Sequence, residues 1–357
     1  TLQHGAEEAA DFKRFGNLHE SVLHRDNPVV IAHCFVQCPV AFVVFVHRHQ
    51  RHCGRTDHRP FQHKAFPVIL STTRQTIETL HTGVPTDLLD IVPRLHVIDG
   101  VSYGEQITVR QLLTHSSGLF DYAQSAGFIG AIIENPSRVW TPREMIEGSI
   151  VWGTPHFPPG GGYGYAYSDT GYVLLGRIIE HLDGRPLHES YRHRILQPLG
   201  LSGTYLEGHE GHRGSVLTHT HEGEFDTSSI HGTADWAGGG LVSDTTDLAV
   251  FARALVDGTL VGEPLHREFL EWRFRTLDPA NHSPGFLGYS CGVEARDVHG
   301  VLLRGHRGHW GGWMHVNPST GLTITGTINQ ANRRPDRVVA GAVAAALEAG
   351  LVERDHQ

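Results

Sequence analysis

From about residue 95 onward, apolar positions recur with periods that identify their elements. Asp169 to Asp183 carries Val173, Leu174, Ile178 and Ile179 at helical spacing, and Gly184 supplies a stop. Ser243 to Asp257 repeats the plan with Leu248, Phe251, Ala252 and Leu255, closing at Gly258. Thr108 to Gln111 has the form of a capping box, in which side chains satisfy the unpaired donors of a first turn. It opens a short helix through Leu112 and Leu113, with Gly118 as the expected stop. Thr141 to Glu144 is a second box, with Pro142 at the favoured first helical position. Toward the C-terminus the period changes. Gly300 to Arg304, Trp313 to Asn317 and Leu322 to Ile328 alternate as strands, and Asn317-Pro-Ser-Thr-Gly321 supplies a hairpin turn. An Ala-rich helix from Arg337 to Leu347 follows, ending at Gly350. Helices in the middle and an antiparallel sheet closed by a helix predict an α+β fold.

Upstream of residue 95 this agreement between levels is lost. The first 100 residues hold no Trp and no Tyr, although the chain has 6 Trp and 9 Tyr. They hold both lysines, Lys13 and Lys64, and 11 of the 28 His. Local consistency marks a sequence selected to fold. Two explanations stay open: residues 1 to about 93 are partly translated out of frame, or they form an ordinary variable segment. Val29 to Val46 is strongly apolar but contains His33, Gln37 and Pro39, which favours a buried strand pair over a membrane span.

Composition narrows the function. A formal charge of −9 with no basic stripe leaves no electrostatic footprint for nucleic acid or an anionic membrane. Thr1-Leu2-Gln3-His4 does not open a secretory signal, and with no initiating Met a lost leader stays open, so a cytoplasmic and an exported location are both compatible. Cys34, Cys38 and Cys53 crowd into one segment apart from Cys291, unlike a disulfide framework.

Six short motifs then follow in order. They are Ile107-Thr-Val-Arg-Gln-Leu-Leu-Thr-His-Ser-Ser-Gly-Leu119, Phe157-Pro-Pro-Gly160, Tyr167-Ser-Asp-Thr-Gly171, Pro198-Leu-Gly-Leu201, Gly238-Gly-Gly-Leu-Val-Ser243, and Gly305-His-Arg-Gly-His-Trp-Gly-Gly312. In this order they resemble the penicillin-recognising serine hydrolases, the group of class C β-lactamases, DD-peptidases and family VIII esterases. The resemblance implies a β-lactamase/transpeptidase-like fold, an antiparallel sheet flanked by helices plus a mostly helical domain. It also implies hydrolysis of an ester, amide or β-lactam through an acyl-enzyme, on a small-molecule or peptide substrate, without metal or organic cofactor.

The resemblance assigns roles. Tyr167 is similar to the Tyr that shuttles a proton between nucleophile and leaving group. It precedes a helix N-terminus, whose positive end is expected to favour phenolate. Asp169 stands where the family usually has Asn, and while ionised it can accept but not donate. His306 corresponds to the His of the family's His-x-Gly strand, orienting Tyr167 or a substrate carboxylate. Gly308 would let backbone approach substrate, and the His309 N–H would form half of an oxyanion hole. Trp152, Trp310 and Trp313 are candidates for an acyl pocket.

The family's Ser-x-x-Lys is missing: Ala10 lies three residues before Lys13 and Phe61 three before Lys64. The nearest candidate is Ser71-Thr72-Thr73-Arg74, about forty residues before Leu112. Arg74 cannot replace Lys as a neutral base, because its pKa exceeds ~12. Ser71 is therefore the candidate nucleophile, with Arg74 limited to electrostatic support. A non-catalytic relative that keeps the pocket is the main alternative.

Two further readings compete. Gly100-Val-Ser-Tyr-Gly104 matches a nucleophile elbow, which would make Ser102 the nucleophile of an α/β-hydrolase if strand and helix flank it directly. His209, His212, His219 and His221 could instead ligate a metal, although their spacing in a Gly-rich loop is weak evidence. The expected organisation is an N-terminal segment, 1–94, that should supply the first strands and the nucleophile helix. A mainly helical domain, 95–235, and an α/β domain, 236–357, would follow.

Overall fold

A computed structural model describes residues 83–160, 164–213, 225–261, 265–270, 285–328, 330–331 and 334–355, with strand backbone at Val29–Val30, Val40–Phe45 and His221–Glu222. Ser71 and Arg74 lie outside the described residues, as do Cys34, Cys38 and Cys53.

The main sheet has seven strands: β1 (Val29–Val30), β2 (Val40–Phe45), β3 (Phe286–Tyr289), β4 (Glu294–Val298), β5 (Val301–Arg307), β6 (Gly312–Val316) and β7 (Thr323–Ile328). Their order is β1-β2-β7-β6-β5-β4-β3, and every pairing is antiparallel. The strand pair expected within Val29–Val46 is present, with Val29 opposite Phe45. Six helices matter for the site: α1 (Val109–Leu113), α2 (Ala126–Glu134), α3 (Pro142–Val151), α4 (Asp169–Asp183), α5 (Thr245–Val256) and α6 (Asp336–Glu348). Helices and antiparallel sheet together make the predicted α+β fold. No helix among the described residues is long and apolar enough to cross a membrane.

Local chemistry explains most boundaries. Both capping boxes form: Thr108 with Gln111, and Thr141 with Glu144. Helix α4 ends at Gly184 with φ 66°, a left-handed residue that costs glycine little. The β6–β7 hairpin closes through Asn317, whose carbonyl accepts the Gly321 N–H at 2.9 Å and whose side chain accepts the Thr320 N–H at 2.8 Å. Strands β3 and β4 were not anticipated. Yet β4 turns into β5 through His299 and Gly300, both at positive φ (57° and 84°), the geometry of a tight two-residue hairpin. Gly118 does not stop α1, which ends earlier, at Thr114. Gly118 instead allows close approach, because a Cβ there would fall on the Phe157 carbonyl.

Two apolar clusters fill the interior. One gathers Leu112, Met145, Ile146, Val173, Leu174, Ile178 and Trp236 around α4. In the other, Val301, Leu303, Trp313 and Ile324 pack against Val339 and Val343 of α6. Because side chains alternate along a strand, the opposite face carries Arg304, His306, Met314 and Thr325, and the Thr325 hydroxyl donates to the Thr245 carbonyl at the start of α5 (3.0 Å).

An ion network joins the first turn of α6 to its face of the sheet. Arg296 pairs with Asp336 (2.7 Å) and Glu294 (3.8 Å), and Arg307 pairs with Glu294 (3.2 Å) and Asp336 (3.8 Å). Arg296 is only 2% exposed. Removing it would leave Glu294 and Asp336 to Arg307 alone, and since breaking a buried pair outright typically costs about 3–5 kcal/mol, the loss should fall at or below the lower end of that range. Arg296→Met should therefore lower the denaturant midpoint with an unchanged slope, whereas exposed Arg94→Met should leave it within ~0.5 kcal/mol.

His315 shares this face and is fully buried. Desolvation chiefly holds its pKa down at about 4, with Glu294 opposing and Arg296 reinforcing the shift. The folded chain thus binds fewer protons there than the unfolded chain between about pH 4 and 6.5. This contribution is intact above 6.5 and lost as the pH falls through that window, by up to ~3 kcal/mol. Unfolding titrations at pH 7 and pH 5 should show a smaller loss for His315→Leu than for the parent, and equal losses would reject the assignment.

Candidate active site

The site is built around the end of α1. Its last turns close as a Schellman motif: the Ser116 N–H donates to the Gln111 carbonyl (2.9 Å) and the His115 N–H to the Leu112 carbonyl (3.3 Å). That places His115 at the position where glycine is favoured, with φ 53°. A non-glycine residue in this region costs roughly 1–2 kcal/mol. The His115 carbonyl accepts the Ala166 N–H (2.9 Å), and its Nδ1 accepts the Ser168 N–H (3.1 Å). As Nδ1 is an acceptor, the imidazole is neutral and carries its proton on Nε2. Burial, reinforced by His306, holds its pKa well below the usual value.

Tyr167 lies between those two bonded amides. Its ring sits 4.1 Å from the His115 ring, centre to centre, and that imidazole is also packed by Tyr172 (5.0 Å), Tyr289 (4.9 Å) and Tyr165 (5.9 Å from the His115 ring) in one aromatic enclosure. The expectation that the α4 N-terminus would favour phenolate is overturned. Burial, then the adjacent Asp169 carboxylate, push the Tyr167 pKa well above that of a free phenol. The Tyr167 hydroxyl and the Asp169 carboxyl are near enough for each to act on the other's ionisation.

Asp169 has two acidic neighbours. Asp121 accepts the Asp169 N–H (3.1 Å), and Asp235 accepts the Trp310 indole N–H (2.7 Å). Burial first, then the charges of Asp121 and Asp235, drive the Asp169 pKa well up. Burial also raises Asp121, and it brings Asp235 to about 6. Carboxyl groups this close titrate as a set, so their protons belong to the group.

From the sheet, β5 brings His306 to the enclosure, its ring centre 6.4 Å from that of Tyr167. Its Nε2 shares a 3.0 Å hydrogen bond with the Tyr289 hydroxyl. The Tyr172 hydroxyl donates to the Leu113 carbonyl (2.9 Å). Gly308 and His309 follow in the exposed β5–β6 turn, which the Gly308 N–H closes on the Gly312 carbonyl (2.7 Å). The His309 N–H donates to nothing among the described residues. A Cβ at Gly308 would meet nothing nearer than 3.5 Å, so packing does not require glycine there.

Tyr167, Asp169 and His306 are thus brought together. His115, Asp121, Asp235 and Tyr289 join them although the sequence reading had not singled them out. One signal was available for His115, a bulky residue where a helix stop calls for glycine. Other expectations change. Trp313 belongs to the α6-side core, and Trp152 packs on Phe128 and Trp140. Only Trp310 adjoins the carboxylate group. Ser102 is no elbow nucleophile: it lies in a two-residue strand, its hydroxyl donates to the Pro93 carbonyl (2.6 Å), and a short 3-10 turn follows. His209 stacks on His188, and His212 bonds the Tyr205 hydroxyl at 2.9 Å. Their intended partner His219 lies outside the described residues, as does the His221 side chain. No group of three or more His, Cys, Asp or Glu among the described residues could hold a metal ion.

Several known proteins resemble this chain in sequence or fold. A D-aminopeptidase from Brucella anthropi is 26% identical over 219 residues, 58% of this chain and 38% of that protein. The chain spans under half the length of the curated relatives it matches. Among solved structures, a D-stereospecific amidohydrolase from Streptomyces sp. has a TM-score of 0.64 at 26% identity, covering 77% of this chain and 82% of that one. A D-amino acid amidase from Ochrobactrum anthropi gives 0.63 at 24% identity, with 80% and 82% covered, and supports the fold alone. The Beta-lactamase family model matches residues 86–348, about three quarters of the chain. With its β-lactamase/transpeptidase-like α+β fold, this chain belongs to the Beta-lactamase family.

Proposed function

We propose that the chain is a serine hydrolase that cleaves amides of D-amino acids or short peptides through an acyl-enzyme. The observation that carries this reading is the buried enclosure in which the Asp169 carboxyl acts on the Tyr167 phenol and the His306 ring lies 6.4 Å from the phenol ring, centre to centre. Membership of the family supports acyl transfer, and the D-aminopeptidase and D-stereospecific amidohydrolase relatives support amide chemistry with D-configuration.

Ser71 is the nucleophile of this reading, and Arg74 offsets developing negative charge. As the serine oxygen bonds the carbonyl carbon, its proton passes to the Tyr167 oxygen while the phenol proton moves to the Asp169 carboxylate. The transfer then reverses to protonate the leaving amine. Such a relay does not require a resting phenolate, which the raised Tyr167 pKa disfavours. His306 orients the aromatic group through Tyr289, and the His309 N–H stabilises the oxyanion. No step calls for a metal or an organic cofactor.

The absence of Ser-x-x-Lys favours a second reading, a binding protein that holds a substrate-like ligand without turnover. Labelling with a fluorophosphonate and a penicillin, followed by peptide mapping, separates the two. Hydrolase function predicts a covalent adduct on Ser71, and Tyr167→Phe should slow its formation about 10²–10⁴-fold, the usual range for loss of acid–base catalysis. Reversible penicillin binding with no adduct on any serine would establish the second reading. An adduct elsewhere would remove Ser71 from the mechanism.

A further inference from the structure

We infer that His115 is the positioning residue that holds Tyr167 against His306, a role that rests on Tyr167 as the proton-transfer group. Three contacts from this one residue bracket Tyr167. Its carbonyl holds the amide before the tyrosine (2.9 Å), its Nδ1 holds the amide after it (3.1 Å), and its ring lies 4.1 Å from the phenol ring. The same imidazole packs beside Tyr289, which bonds His306. One ring therefore braces both the phenol and the group that orients the neighbouring imidazole.

The backbone gives independent support. His115 occupies a left-handed position at a helix end where glycine would be unstrained, so the side chain is kept against a conformational cost. Ser168 is 1% exposed, and water cannot readily replace the lost acceptor if Nδ1 is removed. A reacting group displaced by about 1 Å can lose 10²-fold in rate.

Two substitutions split the contributions of the ring. His115→Asn supplies an oxygen near the place of Nδ1 and tolerates a left-handed backbone. His115→Phe keeps the ring and loses the acceptor. If His115 positions Tyr167, His115→Phe should slow acylation by p-nitrophenyl acetate roughly 10–100-fold with little change in half-saturating concentration. His115→Asn should recover most of the rate. A residue that merely fills space gives the opposite ranking, with Phe tolerated and Asn damaging.

Amide exchange across residues 165–169 gives a readout that does not need turnover. It should accelerate about tenfold in His115→Phe and stay near the parent rate in His115→Asn. Should His115→Phe fail to fold, His115→Ala removes the acceptor without added bulk. Unchanged exchange in the acceptor-less variant, or equal acylation by Phe and Asn variants, overturns the inference. If Tyr167→Phe acylates at the parent rate, the proton-transfer reading fails by itself, and the exchange result still decides whether His115 clamps the segment.

Discussion

The alternation of β5 separates two polar systems that would otherwise compete. Along Val301–Arg307, each residue faces the side opposite its neighbour. Arg307 joins Glu294, Arg296 and Asp336 beneath α6, while His306 faces the enclosure around Tyr167. A one-residue slip of register would exchange these faces and place a guanidinium against the phenol. The tight turn at His299–Gly300 and the closure at Gly308–Gly312 hold that register from both ends.

Within the enclosure, desolvation is the common cause of the electrostatics. It raises the phenol and all three carboxyls and lowers both imidazoles, so each group is biased toward its neutral form. The helix dipole at the start of α4 acts in the opposite direction on Tyr167, and burial outweighs it. A dipole contributes 0.3–1 kcal/mol at an exposed helix end and only up to ~2 kcal/mol in favourable partly buried geometry. Burial of an ionised group can shift a pKa by 3–5 units, or about 4–7 kcal/mol. A resting phenolate is therefore disfavoured, and the proposed relay needs one carboxyl of the group ionised to receive the phenol proton.

The sequence was informative where one element carried its own boundary signals. Helix α4 could be read to both ends, because its apolar stripe runs up to Gly184. The β6–β7 hairpin was legible from its turn residues. Strand β4 was not, since Glu294, Arg296 and Asp297 make it read as a polar segment. Two of those charges belong to the buried network with α6, a partnership visible only when distant residues meet. Ser102 shows the converse, a matching pattern whose flanking elements are wrong. His115 lay inside a quoted motif, but its importance depends on Ala166 and Ser168, about fifty residues later.

The substitution of Asp for the family's usual Asn at 169 gains meaning from its surroundings. A neutral amide there could not take up a proton, whereas a carboxyl can. Burial, then the charges of Asp121 and Asp235, raise its affinity for one. The same neighbours would make a permanently ionised Asp169 expensive, because three negative charges would share one buried space. A cation from the N-terminal segment could offset that charge, and Arg74 is the candidate named by the sequence. Without a cation, the group reaches neutrality by holding protons, which gives Asp169 the capacity to exchange them. On the proposed hydrolase reading, the missing lysine and the Asp at 169 would form one chemical pattern, in which proton storage moves from an ammonium to a carboxyl group.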